Sequence, residues 1–279
     1  MPYVLFGAIS MSGYLKGLSK CVVLSRSLMH YGLRLYRYLR LHGIKRTAEK
    51  VLDVVSQRSI YAVWILNNEP LPNRYAELKR ASEVWRIQPL ISVLMPTFNS
   101  NLTYLEKAIA SVRNQAYPYW QLCIADDASS NPAIRRYLQK LSDEDERIVV
   151  SFRQTNGHIS AASNTALHTA TGDWIALLDH DDLLHPLALY CVAEVLQSRS
   201  NVNLIYSDED KISSKGRRYE PYFKGQYNRE LMWAQNVVSH LGCYRRSLVM
   251  EIGGFRLGYE GSQDYDLALR VIERSSPEE

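Results

Sequence analysis

Short apolar runs alternate with helix-spaced segments over most of this chain. Residues 91–95, 121–125, 148–152, 174–178 and 203–206 are such runs. Pro96 closes the first, Asp126-Asp127 the second, and Asp179-His180-Asp181-Asp182 the fourth, while Asp208-Glu209-Asp210 follows the fifth. Between them, residues 103–115, 132–141, 160–170 and 186–197 repeat their apolar side chains at helical spacing. Runs of four or five bounded by turn residues read as strands, whereas the longer periodic stretches read as helices. Strand and helix in alternation predict an α/β fold, with a mainly parallel sheet flanked by helices. Ligands of such sheets sit beyond the carboxyl ends of the strands.

The first quarter of the chain has another texture. From Val22 to about Val55, Leu24, Leu28, Leu35, Leu39 and Leu41 are interleaved with Arg26, Arg34, Arg37, Arg40, Lys45 and Arg46, and Gly32 and Gly43 interrupt the pattern. One or two basic amphipathic helices are expected, suited either to a membrane interface or to a solvated appendage. A further helix and a linker fill residues 61–90, with a turn cluster at Asn67–Asn73. The expected division is therefore a basic helical N-terminal region and linker over 1–89, then a main domain over 90–279.

Charge sharpens that division. The net charge of +4 conceals ten basic against two acidic residues in 1–60, and 23 basic against 27 acidic in the remainder. A basic nucleic-acid cleft through the main domain is thereby disfavoured, and possible anionic contact is confined to the N-terminal segment. The run Val4–Ile9 is too short to span a bilayer, and basic residues follow it instead of preceding it, against a secretory signal. Cys21, Cys123, Cys191 and Cys243 form no metal-spaced pair and read as buried thiols in a reducing cytoplasm.

Three strand ends carry acids, and parallel strands deliver their ends to one edge. Carboxylates gathered there without compensation would raise one another's pKa, so a bound cation is the physical resolution. Oxygen ligands, with help from a histidine such as His240, favour Mg²⁺ or Mn²⁺. An ion held in this way suits a diphosphate, whose departing charge it neutralises. Neither a P-loop nor a G-x-G-x-x-G turn is present.

The segments Ser92–Asn99, Ala125–Ser129, Asn156–Asn164, Leu178–Asp182 and Gln263–Leu267 together resemble the family 2 glycosyltransferases of GT-A fold, especially bacterial enzymes of O-antigen and related envelope polysaccharides. The resemblance implies that Pro96, Thr97 and Asn99 line the nucleoside pocket, that Asp127 contacts the base, and that Gly157 and Asn164 shape the donor side. Asp179 and Asp181 would form the DxD motif, with Asp181 on the metal and Asp179 nearer the ribose and diphosphate. Asp264 falls at the catalytic base. His240 could complete the metal site, and Trp233 or Tyr259 could stack on sugar. The implied activity is inverting transfer from a UDP- or dTDP-type sugar to a saccharide or lipid-linked acceptor; a cytoplasmic location is expected, and residues 1–60 are the candidate for peripheral contact with the cytoplasmic face of the inner membrane.

Gln263 departs from the family pattern, which often has an acid there. The resemblance also implies a longer C-terminal part than the one ending at Glu279, so the acceptor side is expected to be incomplete. Two other readings fit parts of the pattern. A haloacid-dehalogenase-like phosphatase would use Asp179 and Asp181, although its D-x-D-x-[TV] motif meets Leu183 here. A catalytically inactive nucleotide-sugar-binding protein is the other. Asp208, Glu209 and Asp210, followed closely by Lys211 and Lys215, read as a solvated hairpin-like loop.

Overall fold

The computed structural model describes residues 60–199 and 201–276, together with residues 8–10, 40 and 44. The basic segment over 22–55 lies otherwise outside the described residues, as does Cys21. Two compact units emerge. One comprises Pro70–Lys211 and Pro221–Glu279 with the short strand β1 (Ala8–Ser10). The other contains the described residues 60–69 and Ile212–Glu220. In the second unit a helix, α1, runs over 60–68, and Arg218 bonds Glu69 and the hydroxyl of Tyr61 at 2.8 and 3.1 Å.

The turn cluster expected around Asn67–Asn73 separates α1 from α2 (Tyr75–Glu83), a helix inside the stretch expected as linker. Next, Trp85 lays its ring against Tyr190 and Tyr117, with centroids 4.9 and 6.3 Å apart.

Regular alternation begins with β2 (Ile91–Thr97) and continues through α3 (Leu102–Arg113), β3 (Trp120–Asp126), α4 (Pro132–Glu144), β4 (Ile148–Phe152), α5 (His158–Thr169) and β5 (Trp174–Leu177). Asn101 and Asn131 start α3 and α4 by accepting hydrogen bonds from the first free amides. The four strands are parallel in the order β4-β3-β2-β5. Period-two alternation sorts their side chains between two cores. Ile91, Val93 and Met95 of β2 join Leu105, Ile109 and Val112 of α3 on one face. Leu94, Cys123 and Ala125 meet Ala162 and Ala166 of α5 on the other. Each fully buried aliphatic side chain contributes about 1.5–3 kcal/mol, so these two cores hold the sheet from both sides.

After a turn come β6 (Asp182–Leu184), α6 (Ala188–Ser198) and β7 (Leu204–Tyr206). The strands β8 (Glu209–Ile212) and β9 (Arg218–Tyr222) precede α7 (Arg229–Ala234), β10 (Gly242–Arg245), α8 (Arg246–Glu251) and α9 (Gln263–Ile272). A smaller sheet has the order β6-β1-β8-β9. In the main sheet β10 lies between β5 and β7 and is antiparallel to both, pairing Cys243 with Ala176 and Ile205. The α/β architecture expected from the alternating runs is therefore present, with one reversed strand. Among the described residues, Cys123, Cys191 and Cys243 are buried free thiols. No described helix is long and apolar enough to cross a membrane.

Candidate active site

The carboxyl edge of the sheet is built outward from β2. At its end Thr97 donates to Asp126 at 3.2 Å, and Asp126 also takes the amide and hydroxyl of Ser129 at 3.1 and 2.6 Å. Asn99, at φ 46°, accepts the Ser130 amide at 2.9 Å while its own amide donates to the Ser129 hydroxyl at 2.8 Å. The loops after β2 and β3 are thus locked together. Pro96 sits one residue earlier, paired with Ala125.

Asp127 is 2% exposed, and its carboxylate receives Arg153 Nε at 2.6 Å and the Gly157 amide at 3.0–3.1 Å. Gly157 must be small here, because a Cβ would stand 2.5 Å from the Arg153 guanidinium and 3.0 Å from Ala161. Asn164, further along α5, spends both ends of its amide on the backbone of Phe255, at 2.7 and 2.8 Å. It holds the loop leading into α9 against α5. A Cβ on Gly254 (φ 66°) would lie 2.5 Å from that amide oxygen.

The acids after β5 do not extend the strand. β5 stops at Leu177, and the Asp182 amide donates to the Asp179 carbonyl at 3.2 Å, closing a turn. Strand alternation pairs Asp179 with Asp181; the turn instead joins Asp179 to Asp182. Ligand atoms of Asp179, Asp182 and His240 lie within 4.8 Å of one another, and Asp181 is not in that group. His240 Nε2 is 3.5 Å from Asp182 Oδ2, and Asp182 is 3% exposed. Burial pushes the Asp179 carboxyl above its ordinary range; His240 pulls it back, while Asp181 and Asp264 add to the rise. Two carboxylate oxygens and an imidazole nitrogen at this spacing fit a hard or borderline divalent ion such as Mg²⁺ or Mn²⁺.

Asp264 lies in the first turn of α9 and accepts the Asn236 side-chain amide at 2.7 Å. The other end of Asn236 accepts the Ser239 amide at 3.1 Å, joining the carboxylate to the turn that carries His240. Behind that turn lies Lys224, whose side chain is 1% exposed. Asn236 and Lys224 escape sequence reasoning, since a lone amide and a lone lysine outside any motif give no signal.

The acids after β7 are not the solvated loop expected from their charge. Asp208 takes the Lys224 amide at 2.7 Å, Glu209 takes the His240 amide at 2.9 Å, and Asp210 is 4% exposed. Lys224, from beyond β9, offsets the partial burial of Asp208 and Glu209. The hairpin-like form is present, with β8 and β9 flanking a turn at Gly216 (φ 78°). Trp233 and Tyr259 are exposed at 65% and 45%.

An α/β domain with acids at the carboxyl edge of a mainly parallel sheet is the arrangement expected of a GT-A transferase, and comparison with known proteins agrees. Residues 92–253 match the family described as Glycosyl transferase family 2, and the chain belongs to that family. It is 46% identical over 213 residues to the uncharacterized protein y4gI of Sinorhizobium fredii, and 32% identical over 216 residues to the O-antigen biosynthesis protein RfbC of Myxococcus xanthus. Those matches take in 76% and 77% of this chain but only 23% and 17% of the relatives. Among solved structures, Staphylococcus aureus TarS 1–349 in complex with UDP-GlcNAc has TM-score 0.53 at 21% identity, over 65% of this chain and 52% of that one. A mannosyltransferase from Pyrobaculum calidifontis, in complex with GDP-Man and Mn²⁺, has TM-score 0.50 at 20% identity over 71% and 58%. At those identities the likeness establishes the GT-A fold.

Proposed function

We propose that this domain transfers a sugar from a nucleoside diphosphate sugar to an acceptor hydroxyl by a single displacement that inverts the anomeric centre. The observation that carries the reading is the cluster of Asp179, Asp182 and His240 at one sheet edge, with Asp264 tied through Asn236 to the turn that carries His240. When a divalent ion is bound there, it neutralises the charge of the departing diphosphate. Asp264 takes the acceptor's proton as its oxygen attacks, and Asn236, bonded to one carboxylate oxygen, leaves the other to receive it. The loops after β2 and β3, with Pro96, Thr97, Asn99 and Asp127, form the nucleoside side; Gly157 and Asn164 shape the donor wall. The cluster favours Asp182 over Asp181 as the second carboxylate on the ion, and Asp182→Ala compared with Asp181→Ala decides between them.

The RfbC match supports a saccharide or lipid-linked acceptor in cell-surface polysaccharide synthesis, and UDP or dTDP remains the expected nucleotide. The basic excess in residues 1–60 supports peripheral contact with the cytoplasmic face of the inner membrane. The test is release of nucleoside diphosphate from a panel of nucleotide sugars with Mn²⁺. Asp264→Asn should lower turnover by about 10²–10⁴-fold while nucleotide binding persists. Near-normal turnover in that variant removes Asp264 as the base. Nucleotide binding without any turnover in the parent chain selects the inactive binding protein.

A further inference from the structure

We propose that Lys224 is a positioning residue that sets His240 at the ion site, through backbone bonds and without touching substrate. Residues 235–241 belong to neither α7 nor β10, and although the Ser207 amide donates to the Leu241 carbonyl at 3.2 Å, no helix or ladder bond fixes the amide or carbonyl of His240 itself. An ion pair does so instead. Lys224 Nζ donates to the carbonyls of His240 and Val238, both at 2.7 Å, and to Glu209 Oε2 at 3.3 Å. That same Glu209 oxygen accepts the His240 amide at 2.9 Å. Both backbone polar groups of His240 are therefore held by two side chains from either side of the β8–β9 hairpin. Lys224 is anchored in turn, its amide donating to Asp208 at 2.7 Å.

All three ammonium hydrogens have acceptors and the side chain is 1% exposed, which leaves nothing to reach a diphosphate. Burying a charged pair costs several kcal/mol of desolvation, and an apolar pair could fill the space, so stability alone does not account for a lysine here. A short ammonium with three donors can gather two carbonyls and a carboxylate around one turn. Groups that orient a metal ligand from behind typically alter metal affinity 10–100-fold when removed.

The inference rests on reading Asp179, Asp182 and His240 as an ion site, and a double-mutant cycle separates the two. Mn²⁺ alone is titrated into the full chain and free Mn²⁺ is read by electron paramagnetic resonance, with circular dichroism to verify folding. Lys224→Met should weaken binding about tenfold. In a His240→Ala background it should weaken it no further, because the lysine acts through that histidine. Unchanged affinity in Lys224→Met overturns the proposal, as does a full tenfold loss added to that of His240→Ala, which marks a general structural effect. If Lys224→Met does not fold, Glu209→Gln replaces it: a few-fold loss, absent in the His240→Ala background, is expected, and unchanged affinity overturns the proposal. If His240→Ala alone leaves Mn²⁺ binding unchanged, the ion-site reading itself falls, and the proposal with it.

Discussion

Residues 91–182 and residues 204–276 both bring functional side chains to the same sheet edge, but by different means. In the first stretch four parallel strands and their capped helices carry the load. Thr97, Asp126 and Asp127 stand where the β2–β3 ladder leaves them, each within two residues of paired backbone. In the second, the strands are three to five residues long; Asn236 and His240 lie between elements, and Asp264 only opens α9. Polar side chains, most of them half-buried, hold this stretch: Lys224 and Glu209 on His240, Asn236 on Asp264, Asn164 on Phe255, and Arg270 on Ile252 and Gly254. A ladder is redundant, since β2, β3 and β5 each have neighbours on either side. A side-chain clamp is not, so single substitutions should act differently in the two stretches.

The largest stability effect is expected at Asp266, 7% exposed and bonded to both Arg256 and Arg270. Asp266→Asn leaves the mostly buried Arg270 without its counter-charge and should cost about 3 kcal/mol in urea denaturation. Burial alone would push this carboxyl up, but hydrogen bonds from the two arginines hold it below the ordinary carboxylate range. Its stabilisation is therefore complete above the unfolded pKa of about 4 and is lost as pH falls through the lower folded value; the variant should lack that acid-side loss. A variant as stable as the parent at pH 7 would show that the clamp is dispensable.

Asn164→Ala is a smaller perturbation of the same kind. It strips the buried Phe255 of partners for both its backbone groups and should cost about 2 kcal/mol. Hydrogen exchange should accelerate over 253–262 before it does in β2 or β3; uniform acceleration would erase the distinction between the stretches. The mildest change is Asn101→Ala at the start of α3, expected to cost about 1 kcal/mol. Mn²⁺ and nucleotide binding should be unaffected, because the cap supports a helix that the ladder and core already hold. Loss of either would mean that the first stretch is no more redundant than the second.

The same contrast explains what was legible in the sequence. Strands β2, β3 and β5 are mostly apolar runs buried on both faces, β4 is a half-buried apolar run at the sheet edge, and α3 to α6 announce themselves by spacing; their positions follow from local pattern. Gly242–Arg245 gives no such signal, because a four-residue strand with a glycine and an arginine resembles any loop. Asp182 is part of the same acid run as Asp179 and Asp181, yet the resemblance names Asp181 through its DxD motif, and the end of β5 at Leu177 turns the chain so that Asp179 meets Asp182. His240 has no acid within nine residues in the sequence and is only a candidate to complete the metal site there. The residues that hold it, 16 and 31 positions away, make their case only in three dimensions.

One reversed strand has a consequence of another sort. Because β10 runs against its neighbours, Gly242 pairs with Tyr206 and the strand's beginning, not its end, meets the ligand edge. Every other bank of the cleft is paved by chain leaving a strand; this one is paved by chain arriving. Segments inserted upstream of β10, between Gly225 and Asn228, can therefore remodel the far bank without shifting the register of a single ladder or displacing Lys224. The fold has a bay in which new shapes can be tried while the nucleotide side remains moored.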